Sequence, residues 1–206
     1  MNMIDVVIAD DHAVVRTGYR RLLELEDGMR VVAEFGDGDA AYAWLTQHPA
    51  DVLVLDLSMP GRGGLEMLHR LGARVPALRT LVFSMHDSAA IVMQAMRAGA
   101  AGYLTKSSAP EALVDAVRKV AAGQQVMSAD VAGLVDTGAP PPHLTLSPRE
   151  FDLFRQFARG IAIEDVAARF CLSTKTVANY QTLIRKKMGL ANRVEMHRYA
   201  VEHGFG

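Results

Sequence analysis

The first 122 residues alternate short apolar runs with amphipathic segments, and no other feature of the sequence constrains the fold as strongly. The apolar runs are predicted to form five strands, at 4–9, 30–34, 52–56, 80–84 and 102–104. They are followed by amphipathic segments near 14–25, 38–48, 64–72, 87–98 and 109–122. A strand followed by a helix, five times over, predicts a parallel sheet with helices on both faces. Residues 1–122 are therefore expected to form an α/β doubly wound, five-stranded parallel sheet.

Chemically useful side chains fall at the carboxyl ends of these strands, where open α/β sheets bind their ligands. Asp10 and Asp11 follow the first strand, and Asp56 ends the third. Ser84 ends the fourth strand, and Lys106 follows the fifth. Carboxylates that lie close together repel one another unless a cation lies among them, and oxygen ligands suit Mg²⁺. The sequence therefore predicts a magnesium site at this edge of the sheet.

Each of these polar residues also has an ordinary structural explanation. Asp10 and Asp11 could cap the N-terminus of a helix. Ser84 could be a hydroxyl at a strand end, and Lys106 could be a solvated residue of a turn. The functional interpretation rests on their joint placement, because all of them fall at the same edge of one predicted sheet.

The alternation stops near residue 122, and the next segment lacks a regular pattern. Residues 128–135 could form a short helix. Residues 140–142 are three successive prolines, which favour an extended and fairly stiff spacer. We predict that residues 123–143 form a linker between two domains.

Residues 144–206 are predicted to form a small all-α domain of four helices. Ser147 and Glu150 have the spacing of a helix start with a capping box. A short helix at 163–170 is followed by a turn and by a longer helix that Ser173 caps. Two helices joined by such a tight turn, the second polar and partly basic, describe a helix-turn-helix.

Charge and cysteine content limit the partners and the compartment. The formal net charge is −1, but residues 144–206 carry ten Lys and Arg against six Asp and Glu, which favours a polyanionic partner for this domain. The single cysteine, Cys171, excludes an internal disulfide and suits a reducing compartment. The sequence has no N-terminal signal segment and no apolar run approaching about 18 residues. We expect a cytoplasmic protein without membrane association.

The motifs of both segments match one known family. The first segment contains Asp10-Asp11, Asp56, Met59-Pro60 with Gly63-Gly64, Ser84 and Lys106. On these residues it resembles the receiver domain of two-component response regulators, which has a flavodoxin-like fold. The second resembles a LuxR-type helix-turn-helix output domain through Leu146-Ser147-Pro148-Arg149-Glu150, Gly160, Val166-Ala167, Leu172-Ser173, Lys175-Thr176-Val177 and Gly189. Together the segments resemble the NarL/FixJ family, and the resemblance covers nearly the whole chain.

The resemblance implies a role for each acidic residue at the sheet edge. Asp56 is implied to be the phosphoryl acceptor, which a partner histidine kinase phosphorylates. Mg²⁺ would be held by Asp11, by Asp56 and by the backbone carbonyl of Ser58. Asp10 would act through the water shell of the metal. Transfer to a carboxylate depends on charge neutralisation and positioning more than on acid–base chemistry.

The resemblance also implies how the phosphoryl group is held and sensed. Lys106 and Ser84 would bind the phosphoryl oxygens, and Tyr103 would rotate into the space that the Ser84 hydroxyl vacates. Tyr103 could instead be an ordinary aromatic of an edge strand. Ser58 and His86 would flank the path of a hydrolytic water and tune dephosphorylation. His86 could equally be a solvated loop histidine.

The helix at 173–188 is expected to be the recognition helix. Its first turn would contact DNA phosphates, and its second could read a base edge, as a mid-helix Asn does with adenine. The basic run near its end could instead interact favourably with the helix dipole. The candidate DNA-binding residues are Thr174, Lys175, Thr176, Asn179, Tyr180, Arg185, Lys186 and Lys187.

Three features depart from the family pattern. Ala178 stands where lysine is usual, Thr182 where a basic residue is frequent, and Glu164-Asp165 begins the helix before the turn with two acids. Fewer cations facing phosphate mean weaker non-specific DNA binding. The site preference of the family therefore cannot be carried over to this chain.

The sequence predicts a phosphorylation-controlled transcriptional regulator that forms a homodimer on promoter DNA when phosphorylated. An alternative is a regulator whose helical domain acts mainly through protein partners, with weak or no DNA binding. A Mg²⁺ phosphohydrolase is disfavoured, because such enzymes need a second acid two residues after the nucleophile, where this chain has Ser58. We expect no enzymatic activity beyond participation of the chain in its own phosphoryl transfer and dephosphorylation.

Overall fold

The N-terminal part of the molecule is built on a single parallel sheet. The structure is a computed structural model that describes residues 3–59, 63–132 and 141–205. The strands are β1 (Ile4–Ala9), β2 (Met29–Phe35), β3 (Val52–Leu55), β4 (Arg79–Ser84), β5 (Gly102–Thr105) and β6 (Val126–Met127). Their order in the sheet is β2-β1-β3-β4-β5-β6, and all pairs are parallel.

Each face of the sheet has its own apolar core, covered by helices. The helices are α1 (Ala13–Glu24), α2 (Gly38–Leu45), α3 (Gly64–Arg74), α4 (Ala89–Arg97) and α5 (Pro110–Ala121). Val6 and Ile8 of β1 belong to one apolar cluster, and Val7 and Ala9 belong to the other. Alternate side chains of a strand point to opposite faces, so both faces of β1 are covered. The predicted doubly wound α/β arrangement is confirmed.

The sheet has six strands, so the prediction of five was wrong by one. Gly123, with φ 84°, turns the chain after α5, and Val126 and Met127 then pair with Gly102 and Tyr103. A two-residue strand is too short to show an alternating pattern in the sequence. A short helix, α6 (Ala129–Ala132), follows it.

The segment predicted to be a linker is therefore partly structured. Residues 126–127 form the edge strand β6 and residues 129–132 form α6, so this part of the segment is not an extended spacer. The prolines at 140–142 were expected to extend the chain; Pro141 is extended, with φ −63° and ψ 154°, and Pro142 begins a 3₁₀ helix, Pro142–Thr145. Residues 133–140, in the middle of the predicted linker, lie outside the described residues.

The C-terminal part has the four predicted helices, α7 (Pro148–Ala158), α8 (Ile163–Arg169), α9 (Thr174–Met188) and α10 (Arg193–Glu202). The capping box is present at α7, where Ser147 and Glu150 bond to each other's backbone N–H. Ser173 caps α9 by accepting from the N–H of Thr176 at 3.1 Å. Gly189, at φ 68°, ends that helix.

The two domains are in contact. Helix α7 packs against α3, and the 3₁₀ helix packs against α4. One apolar cluster contains Leu65 and Leu68 of α3 together with Phe151 and Phe154 of α7. Within the described residues, no helix combines the length and apolar character needed to cross a membrane.

Candidate functional site

The acidic residues predicted at the sheet edge are brought together. The N–H of Asp56 donates to the carbonyl of Ala9 at 2.9 Å, which continues the β1–β3 pairing and aligns the two strand ends. Asp10, Asp11, His12 and Asp56 each place one possible ligand atom within 4.8 Å of the others. Asp10 and Asp56 are buried, with exposed fractions of 4% and 2%.

Lys106 joins the two buried carboxylates. Its Nζ lies 2.6 Å from Asp10 Oδ2 and 2.7 Å from Asp56 Oδ2, and the side chain is 7% exposed. Burial opposes the charged form of Lys106, but the hydrogen bonds and charges of Asp10 and Asp56 outweigh it and raise its pKa. A solvated turn residue would have neither contact, so Lys106 is a component of the acidic pocket.

The pocket suits a divalent cation. The carboxylates of Asp10, Asp11 and Asp56 lie close together, and the ammonium of Lys106 lies between two of them. Carboxylates this close repel one another unless a positive charge lies among them. Oxygen donors of this kind suit Mg²⁺. The N–H of Ser58 donates to Asp56 Oδ1 at 3.1 Å, which fixes the turn that carries the Ser58 carbonyl.

His12 is a member of this cluster that the sequence reasoning missed. Its Nδ1 lies 2.9 Å from Asp11 Oδ1 and 3.3 Å from Asp10 Oδ1. The side chain is 64% exposed. Its position directly after the acidic pair was the only signal in the sequence.

The structure places Ser84 and Tyr103 side by side behind the pocket. Both residues are fully buried, and the Tyr103 hydroxyl donates to the backbone carbonyl of His86 at 2.6 Å. Burial raises the pKa of Tyr103 well above its ordinary value. Strand β5 lies between β4 and β6, so Tyr103 is not an aromatic of an edge strand.

His86 connects the receiver pocket to the output domain. Its Nε2 lies 3.2 Å from the Ser58 hydroxyl and also contacts the guanidinium of Arg155 in α7. Burial, followed by the charges of Arg155, Arg159 and Lys106, lowers the pKa of His86 to about 3. His86 is therefore neutral near pH 7 and is not a solvated loop histidine.

Further polar contacts hold α7 and α8 against the receiver. Arg149 Nη1 lies 2.8 Å from Glu66 Oε2 on α3. The N–H of Glu66 donates to Asp152 Oδ2 at 3.4 Å. Arg169, at the end of α8, donates to the carbonyl of Ser58 at 3.1 Å. None of these contacts was predicted.

Asp152 and Arg155 are two buried charged groups at this contact. Each is 4% exposed. Burial raises the pKa of Asp152 to about 7, although the charge of Arg155 opposes the shift. Burial likewise lowers the pKa of Arg155 to about 10. The contact between the domains therefore carries an acid that titrates near neutral pH.

The predicted recognition helix leaves its N-terminal half open to solvent. Thr174, Lys175 and Asn179 are exposed, and Thr176 and Tyr180 are partly exposed. The contacts with the receiver come from α7, α8 and the 3₁₀ helix, so the docked arrangement of the two domains leaves these five residues exposed or partly exposed.

Within the basic run at the end of α9, Lys187 has a structural partner. Lys187 Nζ lies 2.7 Å from both carboxylate oxygens of Glu150 on α7. Arg185 is partly buried, and Lys186 is exposed. Thr182 donates to the carbonyl of Ala178 at 3.2 Å, within the helix.

Comparison with known families assigns both domains. Residues 6–118 match the model for the "Response regulator receiver domain", and residues 144–200 match that for "Bacterial regulatory proteins, luxR family". The chain is 40% identical over 196 residues to the transcriptional regulatory protein UhpA of Escherichia coli (strain K12), covering 95% of this chain and 97% of that protein. It is 34% identical over 208 residues to the response regulator UvrY of the same strain, covering 98% and 95%.

Solved structures agree with this assignment. The RcsB response regulator of Salmonella typhimurium aligns with a TM-score of 0.77 at 29% identity, covering 99% of this chain and 100% of that one. RcsB bound to a promoter in the presence of the phosphomimetic BeF3⁻ aligns with a TM-score of 0.72 at 29% identity, covering 98% and 100%. The chain belongs to the NarL/FixJ family of response regulators, which joins a receiver domain to a LuxR-type DNA-binding domain.

Proposed function

We propose that this chain is a transcriptional regulator of a bacterial two-component system, in which a histidine kinase phosphorylates Asp56 and the phosphorylated form binds promoter DNA as a dimer. The observation that carries the proposal is the pocket in which Lys106 joins Asp10 and Asp56 at the sheet edge. A kinase partner and a DNA target both place the protein in the cytoplasm. In this proposal the chain itself accepts the phosphoryl group from the kinase.

The pocket supplies what phosphoryl transfer to a carboxylate requires. Asp56 provides the nucleophilic oxygen, and positioning and charge neutralisation supply most of the catalysis. Lys106 already lies within hydrogen-bond distance of Asp56 and can move its ammonium onto the phosphoryl oxygens. Mg²⁺, held by Asp11, Asp56 and the Ser58 carbonyl with Asp10 acting through its water shell, would neutralise further negative charge.

The contacts behind Asp56 provide a route from the phosphoryl group to the output domain. Phosphorylation adds nearly two negative charges and three acceptor oxygens, which attract the Ser84 hydroxyl. Ser84 accepts from the N–H of His86 at 3.4 Å, and Tyr103 donates to the carbonyl of the same residue. A shift of Ser84 or Tyr103 therefore moves His86, whose ring contacts Arg155 of α7. His86 and Ser58 also flank the phosphoryl position and would tune its hydrolysis.

Promoter recognition is supported by the exposed N-terminal half of α9 and by the relatives. UhpA is named a transcriptional regulatory protein, and RcsB has been solved on promoter DNA. Paired recognition helices of a dimer would read two half-sites about one helical turn apart. Thr174, Lys175 and Thr176 would contact phosphates, and Asn179 and Tyr180 would face the bases.

Phosphate incorporation tests the assignment of the acceptor. The full-length protein is incubated with a labelled small-molecule phosphodonor and Mg²⁺, alongside Asp56→Asn and the control Asp115→Asn, which changes an exposed carboxylate of α5. Wild type and Asp115→Asn are expected to incorporate one phosphoryl group, and Asp56→Asn none. Incorporation that survives in Asp56→Asn would place the acceptor elsewhere.

Lys175→Ala is expected to weaken binding to all DNA sequences about equally and to lower the salt slope of log K by about 1, because one phosphate contact is lost. The measurement is fluorescence anisotropy with one DNA fragment at several salt concentrations. Lys119→Ala, which removes an exposed lysine on α5, is the control and should change neither quantity. A salt slope that is the same for Lys175→Ala and wild type would remove Lys175 from the DNA-binding surface.

A further inference from the structure

We propose that the output domain and the divalent cation compete for the backbone carbonyl of Ser58, so that docking weakens cation binding and cation binding loosens docking. The inference rests on the proposed function at one point, the assignment of the Ser58 carbonyl as a cation ligand. It adds a direct link between the metal site and α8 that does not pass through the phosphoryl group.

The link is the hydrogen bond from Arg169 to Ser58. Arg169 Nη2 lies 3.1 Å from the Ser58 carbonyl oxygen, although 111 residues separate the two in the chain. The guanidinium engages the lone-pair side of this oxygen and places a fixed positive charge beside it. A divalent cation bound to the same oxygen would face that charge at close range.

Two more arginines of the output domain increase the effect. Arg155 and Arg159 line the same small interdomain cavity as Arg169, beside Leu57 and Ser58. Arg155 reaches His86, whose ring hydrogen-bonds to the Ser58 hydroxyl. Burial, followed by the charge of Arg169, lowers the pKa of Arg159, which reflects repulsion within this group.

The carboxyl group of Asp152 neutralises little of the positive charge of these arginines. Asp152 lines the same cavity, and burial raises its pKa to about 7, so much of it is uncharged near neutral pH. The docked output domain therefore presents mainly positive charge to the side of the pocket that carries the Ser58 carbonyl. This positive charge disfavours binding of the divalent cation at the Ser58 carbonyl.

Coupling between two binding events is reciprocal. If docking lowers the affinity for the cation by some factor, cation binding lowers the docking equilibrium by the same factor. The α7 contacts of Arg149 and Asp152 are made with Glu66 of α3, which is not among the residues that would bind the cation. The α8 side, held by Arg169, would be released first.

Isothermal titration of the unphosphorylated full-length protein with Mg²⁺ tests whether docking weakens cation binding. Arg169→Ala is expected to bind Mg²⁺ about tenfold tighter than wild type, within the usual range for coupled sites. Arg169 is exposed, so its replacement does not disturb a core. Arg193→Ala is the control, because Arg193 is an exposed arginine whose Nη2 donates to the Ile161 carbonyl at 2.7 Å inside the output domain. It should bind Mg²⁺ as wild type does.

The outcomes separate this inference from the assignment of the site. Equal Mg²⁺ affinity of Arg169→Ala and wild type, together with lost binding in Asp56→Asn, would overturn the competition and leave the site in place. Undiminished binding in Asp56→Asn would overturn the site itself and the competition with it.

Small-angle scattering tests whether cation binding loosens docking. Saturating Mg²⁺ is expected to increase the radius of gyration of the wild type and to leave Asp56→Asn unchanged. A wild-type radius of gyration that stays constant at saturating Mg²⁺ would contradict the reciprocal effect.

Discussion

Gly63→Ala is expected to release the output domain from the receiver. A Cβ at this position would lie 2.2 Å from Asp152 Oδ2 and 2.7 Å from Asp152 Cγ. A shift of a few tenths of an ångström would not relieve contacts as short as these. Asp152 belongs to α7 and is buried, and its Cβ would lie 3.1 Å from the new Cβ, so rotation of the carboxylate alone does not relieve the clash and α7 is expected to move away. Overpacking of this kind costs about 1–3 kcal/mol, which shifts the docking equilibrium by about 5- to 150-fold.

Small-angle scattering and the radius of gyration measure this release. Gly72→Ala is the control, because Gly72 lies in α3, the helix that Gly63 precedes, and a Cβ there meets nothing within 4 Å. It should keep the radius of gyration of the wild type. Gly63 has φ 89°, so Gly63→Ala also strains the receiver backbone, and a thermal unfolding scan measures that separate cost. An unchanged radius of gyration for Gly63→Ala would contradict the described contact.

The contribution of Asp152 to docking is expected to fall as the pH rises towards 7. The pKa of Asp152 is about 7 when buried at the contact, against an ordinary value of 3.8. At a pH between 3.8 and about 7, Asp152 is therefore protonated in the docked state and ionised in the undocked state. The contribution of Asp152 to docking is fully present below pH 3.8 and is lost as the pH rises through about 7. Between pH 5 and 7 the loss is on the order of 2 kcal/mol.

Asp152→Asn isolates this effect, because an amide keeps the shape of the side chain and does not titrate. The charged groups that face Asp152 are Arg155, Arg149 and Glu66. His86, whose pKa is lowered at the same contact, opposes docking at acid pH in both proteins. The variant is therefore expected to be more docked than the wild type at pH 8. Identical radii of gyration for the two proteins at every pH from 5 to 8 would exclude Asp152 as the titrating group.

The receiver fold and its pocket were predictable from the sequence because both depend on local signals. Five apolar runs marked the strands, and parallel strands bring their carboxyl ends to one edge, which placed Asp10 and Asp56 together. The sixth strand was missed because two residues, Val126 and Met127, cannot show a period. A strand of this length depends on the neighbouring β5 for its pairing.

The contact between the domains could not be predicted in this way. In the sequence, Asp152 and Arg155 look like the polar face of an amphipathic helix, because their neighbours Phe151 and Phe154 supply an apolar face. In the structure, every residue of α7 from Glu150 to Ala158 is buried. Phe151 and Phe154 pack against Phe205 inside the output domain, and Asp152 and Arg155 contact Glu66 and His86 of the receiver. A hydrophobic pattern shows which face is apolar, but it does not show what covers the other face.

The central claim is that the charge on Asp56 controls DNA binding, and one binding measurement tests it. DNA fragments are first selected with the phosphorylated protein, and their affinity is then measured by fluorescence anisotropy for wild type and Asp56→Asn, each with and without phosphodonor and Mg²⁺. Phosphorylation is expected to tighten wild-type binding at least tenfold, about 1.4 kcal/mol of coupling, and to leave Asp56→Asn unchanged. Equal affinities of phosphorylated and unphosphorylated wild type, or an equal gain in Asp56→Asn, would contradict the account.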